Sequence, residues 1–279
     1  MKKYSDVLRS GIKTLTDNGI EEASVDAYLL FEDIFDMPKS QYYLKMNQIA
    51  DDGLARKYYD SIAKRAKHIP VQYITGKQSF YGLEFEVNPS VLIPRQDTEI
   101  LVEECLKRFG HVPDTKVLDL CTGSGCIAIS LKKNMEHCRM TAADISEPAL
   151  EVAKKNAKRL EAEVTFLESN LFENVEGSFD LIVSNPPYIP TKVIETLAPE
   201  VREHEPHLAL DGTGDGLLFY RKIVTIGKSH LKENGCFAFE IGFDQAEDVS
   251  NILEENGFNR IQVVKDLPGL DRVVIGSRN

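Results

Sequence analysis

The sequence predicts an α/β protein, with a small helical amino-terminal domain followed by a mainly parallel sheet that ends in an antiparallel hairpin. Three observations carry this. Apolar side chains recur three and four apart through the first 70 residues, five short apolar runs after residue 94 alternate with helix-length segments, and the first of those runs ends in a glycine turn. At 279 residues the chain has room for one large or two modest domains. The expected divisions are a helical bundle at 1–70, a β-hairpin linker at 71–93 and an α/β domain at 94–279.

In the bundle, Val7, Leu8, Ile12 and Leu15 give Tyr4–Asn18 one apolar face, and Asn18-Gly19 stops the helix. Ser24 is read as the N-cap of a second helix to Phe35, with Leu29, Leu30, Ile34 and Phe35 inward and Pro38 beyond its end. Two more helices are expected at Ser40–Ile49 and Leu54–Lys67. From Val71 to Val91, Tyr73, Ile74, Phe80, Tyr81, Phe85 and Val87 are punctuated by Gly76, Gly82 and Asn88-Pro89, which reads as a hairpin. Strands follow at Lys116–Leu120, Arg139–Asp144, Val164–Glu168, Phe179–Ser184 and Gly235–Glu240. A helix at Glu147–Leu160 is capped by Ser146, and a closing hairpin pairs Ile261–Lys265 with Arg272–Ile275.

The chain carries 33 basic and 44 acidic residues, a net charge of −11. The first 84 residues are balanced, so the acidic excess lies in the α/β part. A protein that grips phosphate backbones usually has a basic face large enough to show in the total, so direct nucleic-acid binding is not expected. Lys57, Lys64, Arg65 and Lys67 form a modest basic patch, read as a solvated face. The cysteines (Cys105, Cys121, Cys126, Cys138, Cys236) form no Cys-x-x-Cys pair and read as reduced thiols. The amino terminus lacks the apolar stretch of a signal peptide and no run approaches a membrane span. The expectation is a cytoplasmic monomer with no membrane partner.

The strand at Val117–Leu120 runs into Cys121-Thr-Gly-Ser-Gly125 and then into a helix. Gly123 and Gly125 offer permissive backbone and no side chain, so a ligand can lie against the main chain. Asp144, at the tip of the second strand, stands where a carboxylate can grip a ribose diol. Together these point to a nucleoside cofactor. The pattern Gly123-x-Gly125-x-x-Ala128 also suits a nicotinamide dinucleotide, but Asp119 beside the turn would repel a pyrophosphate and suits the cationic S-adenosylmethionine.

The fourth strand ends in Asn185-Pro186-Pro187-Tyr188. Two prolines stiffen the loop and remove two donors. Its acceptors, the Asn185 side chain and the Pro186 carbonyl, can hold both hydrogens of a planar NH2 group and aim its lone pair at a methyl carbon, while Tyr188 offers a flat face near the sulfonium. His204 and His207 near carboxylates lack a third metal ligand, and Pro206 interrupts the helix that would align them, so no metal is expected. Asp211-Gly-Thr-Gly-Asp-Gly216 lacks the Lys-Ser/Thr of a phosphate loop and reads as a flexible turn.

Leu92-Ile-Pro-Arg-Gln-Asp-Thr-Glu99, Asp119–Ala128, Asn185–Tyr188 and Glu205-Pro-His-Leu-Ala-Leu-Asp-Gly212 together resemble the HemK family, the release factor glutamine methyltransferases, over nearly the whole chain. The resemblance implies a Rossmann-like class I S-adenosylmethionine-dependent methyltransferase domain at 94–279. It also implies N5-methylation of the glutamine in the Gly-Gly-Gln motif of class 1 peptide chain release factors, with S-adenosylhomocysteine as product. It implies cofactor contacts from Asp119, Cys121, Thr122, Gly123, Ser124, Gly125, Asp144, Asn170, Leu171 and Asn185. Asn185, Pro186, Pro187 and Tyr188 would receive the glutamine, and the amino-terminal domain would help dock the release factor. Where the family commonly has Asp and Pro, this chain has Asn170 and Gln96. The rival readings are a nucleic-acid amino-methyltransferase acting on adenine N6 or cytosine N4, which needs a basic cleft, an NAD(P)-dependent oxidoreductase, which leaves Asn185–Tyr188 without a task, and a non-catalytic binding module.

Overall fold

The computed structural model describes residues 2–278, in two compact units: the chain through Lys77 with Ala198–His204, and Gln78–Leu197 with Glu205 onward. The hairpin therefore belongs to the second unit, and the division falls after Lys77.

The first unit holds α1 (Tyr4–Asp17), α2 (Ala23–Phe35), α3 (Lys39–Lys45), α4 (Asp52–Arg65) and α5 (Val71–Thr75). Phe31 is its hub, meeting the edges of Tyr4, Tyr42 and Tyr58. A Cβ at Gly11 would lie 2.0 Å from the Tyr58 hydroxyl, so the ring seats directly on α1. Four expectations need correction. Ser24 lies inside α2, whose N-cap is Glu22. Leu29 points outward at 41% exposed, because the inward stripe is Ala23, Ala27, Leu30 and Phe31 with Asp26 buried beside it. Tyr73 and Ile74 belong to a helix, since Pro70 occupies its N-cap and Gly76 ends it at φ +75°. Arg65 is no part of a solvated patch: it is buried, donating from Nε to Asp26 at 2.6 Å and from Nη2 to Glu200 at 2.9 Å. Arg65→Ala would strand the Asp26 carboxylate. The expected cost is about 3 kcal/mol, read as a lower denaturant midpoint; a loss under about 1 kcal/mol would mean that water already solvates Asp26.

In the second unit β1 (Lys77–Phe80) and β2 (Leu83–Glu86) form the hairpin. Seven further strands make one sheet: β3 (Lys116–Leu120), β4 (Arg139–Asp144), β5 (Val164–Glu168), β6 (Phe179–Ser184), β7 (Leu231–Glu240), β8 (Arg260–Lys265) and β9 (Asp271–Ser277). Their order is β5-β4-β3-β6-β7-β9-β8. The pairs from β5 to β7 are parallel, and β9 runs antiparallel to both β7 and β8. β7 begins at Leu231, earlier than the sequence suggests, through an irregular register against Phe179.

Helices of the same unit cover both faces: α6 (Thr98–Phe109), α7 (Cys126–Asn134) and α8 (Glu147–Arg159), the short turns α9 (Thr191–Ile194) and α11 (His207–Leu210), then α12 (Leu218–Gly227) and α13 (Ala246–Glu255); α10 (Pro199–His204) belongs to the first unit. Strand alternation divides the core. Val117, Leu181 and Val183 pack with Leu101, Val102 and Ile129 on one face; Leu118, Leu120 and Ile182 pack with Tyr220, Val224, Val249 and Leu253 on the other. Among the described residues no helix is long and apolar enough to cross a membrane.

Candidate active site

β4 and β6 flank β3 on opposite sides, so the chain crosses over in both directions at the carboxyl end of β3, where open parallel sheets bind ligands. A cavity of about 260 Å³ lies there, near the lower end of small-molecule sites at roughly 300–1,000 Å³. The turn after β3 supplies Cys121, Thr122, Gly123 and Ser124, the tip of β4 supplies Asp144, the segment after β5 supplies Asn170 and Leu171, and the segment after β6 supplies Asn185 and Pro187. Asp119, Gly125, Pro186 and Tyr188 are not in its lining.

The turn depends on left-handed backbone at Cys121 (φ +60°), Gly123 (φ +55°) and Gly125 (φ +81°). The two glycines differ in purpose. A Cβ at Gly125 would press on Ile129 and Ala153, whereas nothing lies within 4 Å of one at Gly123, the open ground a ligand could cover. Asp144 braces this arrangement. Its Oδ2 accepts the Gly123 N–H at 2.8 Å and its Oδ1 accepts the Ser146 N–H at 2.9 Å, while burial raises its pKa. Ser146 caps α8 as expected, accepting from the Ala149 N–H.

Asp119 is wholly buried and turned away from the cavity. Its Oδ2 accepts from the Thr122 hydroxyl at 2.6 Å and from the Ala128 N–H at 3.2 Å, so it fastens the turn to the start of α7; Oδ1 has no partner. Its expected role opposite a sulfonium is corrected accordingly. Desolvation pushes its pKa up to about 7. The folded state then holds this proton more tightly than the unfolded chain, so its contribution to stability is complete below about pH 4 and is lost as pH rises through about 7. Asp119→Asn should therefore flatten the fall in melting temperature between about pH 4.5 and 7. An unchanged slope would show that the carboxylate is already ionised across that range.

After β6, Asn185 donates from Nδ2 to the Thr98 hydroxyl at 3.4 Å. Among the described residues no hydrogen bond ends on Asn185 Oδ1 or on the Pro186 carbonyl. Tyr188 packs against the sheet core and donates its hydroxyl to Glu240 Oε1 at 3.3 Å. Its carbonyl accepts from Gln245 Nε2 at 3.0 Å. The glycines of 211–216 have a definite task here: a Cβ at Gly216 would lie 2.3 Å from the Tyr188 carbonyl oxygen, and one at Gly212 would lie 2.7 Å from the Tyr188 backbone. This loop is the packed floor beneath the tetrapeptide's exit, in place of the expected free turn. Sequence reasoning also missed Thr98, Ile145, Phe219 and Lys222 in the lining. Ile145 was findable, since it directly follows Asp144 at a strand tip; Phe219 and Lys222 reach the cavity from α12 and carry no local signal. Cys121 and Cys126 are packing thiols with pKa values raised by burial, not activated nucleophiles.

The chain is 43% identical to the release factor glutamine methyltransferase of Geobacter sulfurreducens, across 94% of this chain and 92% of that one. The chain belongs to the release factor glutamine methyltransferase family. A second member, from Clostridium acetobutylicum, is 41% identical across 99% of both chains. Residues 96–215 match the methyltransferase small domain and residues 6–76 the PrmC N-terminal domain, so both units are typical of this family. The fold of the second unit is that of class I S-adenosylmethionine-dependent methyltransferases. A solved methyltransferase from Pyrococcus furiosus shares it, with a TM-score of 0.53 at 22% identity over 71% of this chain and 90% of that one.

Proposed function

We propose that the protein transfers a methyl group from S-adenosylmethionine to the side-chain N5 of the glutamine in the Gly-Gly-Gln motif of class 1 peptide chain release factors. The observation that carries this is the pair of unoccupied acceptors, Asn185 Oδ1 and the Pro186 carbonyl, at the strand end beside the Gly123 cradle. The residues fit the cofactor. Gly123 leaves open ground, and the Asp144 carboxylate keeps lone pairs for a ribose diol after accepting two backbone amides. Asn170 donates to Glu173 at 2.8 Å, which leaves its Oδ1 to accept from an adenine amino group as an aspartate would. Leu171 and the remaining turn residues, Cys121, Thr122 and Ser124, complete the holding surface.

When bound, S-adenosylmethionine supplies a methyl carbon made electrophilic by its sulfonium. The protein's part is positioning. Asn185 and Pro186 would each accept one hydrogen of the glutamine amide, fixing its plane and directing the nitrogen lone pair. Among the described residues Asp144 is the only carboxylate lining the cavity and is already committed to backbone amides, so none of them is a general base poised to remove a proton before attack. The N-alkylated amide is acidic enough to lose its proton to water afterwards. Pro187 keeps the loop stiff, and Tyr188 holds its far end to the core.

The helical unit is the proposed docking surface for the release factor, and the net charge of −11 favours a protein substrate over nucleic acid. Such a substrate fits a cytoplasmic enzyme, and we propose that it acts as a monomer. Incubation with isotopically labelled S-adenosylmethionine and purified release factor, then mass-spectrometric mapping, should place the label on the Gly-Gly-Gln glutamine. Label on another residue, or faster labelling of free DNA or RNA, would overturn the assignment.

A further inference from the structure

Behind Asn185 lies a buried polar chain that the proposed reaction does not itself require. Thr98 opens α6 and is 2% exposed; Glu240 ends β7 and is also 2% exposed. The Thr98 hydroxyl accepts from Asn185 Nδ2 at 3.4 Å. The same hydroxyl lies near the Glu240 carboxylate and favours its ionised form. Glu240 Oε1 accepts from the Tyr188 hydroxyl at 3.3 Å, and Oε2 has no close partner. Arg272 faces the same carboxylate and is itself shared with Asp266 at 3.1 Å and Asp97 at 3.5 Å.

The direction of this chain follows from what each group can do. Burial raises the Glu240 pKa to about 6; above that the carboxylate only accepts, so the single Thr98 hydroxyl proton is drawn to it. The Thr98 oxygen is then left with lone pairs alone, and a primary amide facing it must present its NH2. That leaves the Asn185 oxygen as the atom turned from Thr98. A carboxamide has two nearly isosteric ends, and only its hydrogen-bond partners select between them. Flipped, Asn185 would present donors to a substrate NH2 and repel it.

We propose that Glu240, through Thr98, sets the amide orientation of Asn185 and, through its other contact, anchors Tyr188, so that Thr98 and Glu240 are positioning residues for methyl transfer. This rests on the reading of Asn185 as the glutamine acceptor. Thr98→Val replaces the hydroxyl by a methyl of similar size and unties Asn185. Glu240→Gln can donate to Thr98 and so removes the bias. Each should lower kcat about 10- to 100-fold, with the Kd for S-adenosylhomocysteine and the melting temperature close to the parent's. Thr98→Ser, which restores the hydroxyl, should return kcat to within threefold.

The experiment measures kcat and release-factor KM by methylation assay, and S-adenosylhomocysteine Kd by calorimetry, for these variants beside Asn185→Ala. If Asn185→Ala loses activity while Thr98→Val and Glu240→Gln keep theirs within threefold, the relay is wrong and the reading of Asn185 stands. If Asn185→Ala itself stays active, that reading falls and the relay with it. Equal losses in Thr98→Ser and Thr98→Val would reduce Thr98 to a packing role and also reject the relay. Should Thr98→Val not fold, Glu240→Gln carries the same comparison.

Discussion

Asn185→Ala is expected to lower turnover about 10²–10³-fold, with a smaller change in cofactor affinity, because an oriented polar group that acts mainly in the transition state is worth about that much. The structure sharpens the reason. Asn185 Oδ1 and the Pro186 carbonyl are free acceptors on a loop immobilised from below: Gln245 holds the Tyr188 carbonyl, Glu240 holds its hydroxyl, and Gly212 and Gly216 allow the 211–216 backbone to press against it. Steady-state kinetics on purified release factor checks this, and turnover within threefold of the parent would remove Asn185 from the reaction.

Asp144→Ala is expected to weaken S-adenosylmethionine binding roughly 10²-fold, since hydrogen bonds to a charged group are worth about 1.5–3 kcal/mol each. Two losses combine. The proposed ribose acceptor disappears, and the Gly123 and Ser146 amides, held at 2.8 and 2.9 Å, lose the carboxylate that orients the turn. Asp144→Asn keeps one acceptor oxygen but offers an NH2 to one of those amide donors, so it should fall between parent and alanine. Isothermal calorimetry with S-adenosylmethionine separates the three. An alanine variant that binds as the parent does would show that the diol is held elsewhere.

The strands β3, β4, β5 and β6 were legible to the residue, and the reason is local. Each is a run of apolar side chains bounded by a turn former, and the alternation within it reports burial on two faces. The glycine turn and Asn185–Tyr188 were legible for a related reason, because glycine marks left-handed backbone at 123 and 125 and proline marks backbone stripped of donors at 186 and 187, although the left-handed Cys121 carries no such mark. Errors arose where a residue's fate depended on something distant. Arg65 looked like a surface cation until Asp26 and Glu200 appeared beside it. Leu29 looked inward because periodicity cannot show that Asp26 holds a buried place on the same helix. Tyr73 and Ile74 suit a strand by propensity, but Pro70 and Gly76 bracket a helical turn around them.

Sequence alone determined the α/β order, the strand tips at which the site lies and the family to which the chain is related, because those depend on short-range periodicity and on residues whose backbone chemistry is unmistakable. Tertiary structure decided which carboxylate faces the cavity. Along the chain both Asp144 and Asp119 read as cofactor contacts, yet one lines the cavity and the other fastens α7 from behind. It also decided that Thr98 and Glu240 would meet Asn185 and Tyr188. Strand order and helix placement bring side chains from distant segments together, and no local pattern encodes a contact whose two halves lie so far apart in the chain.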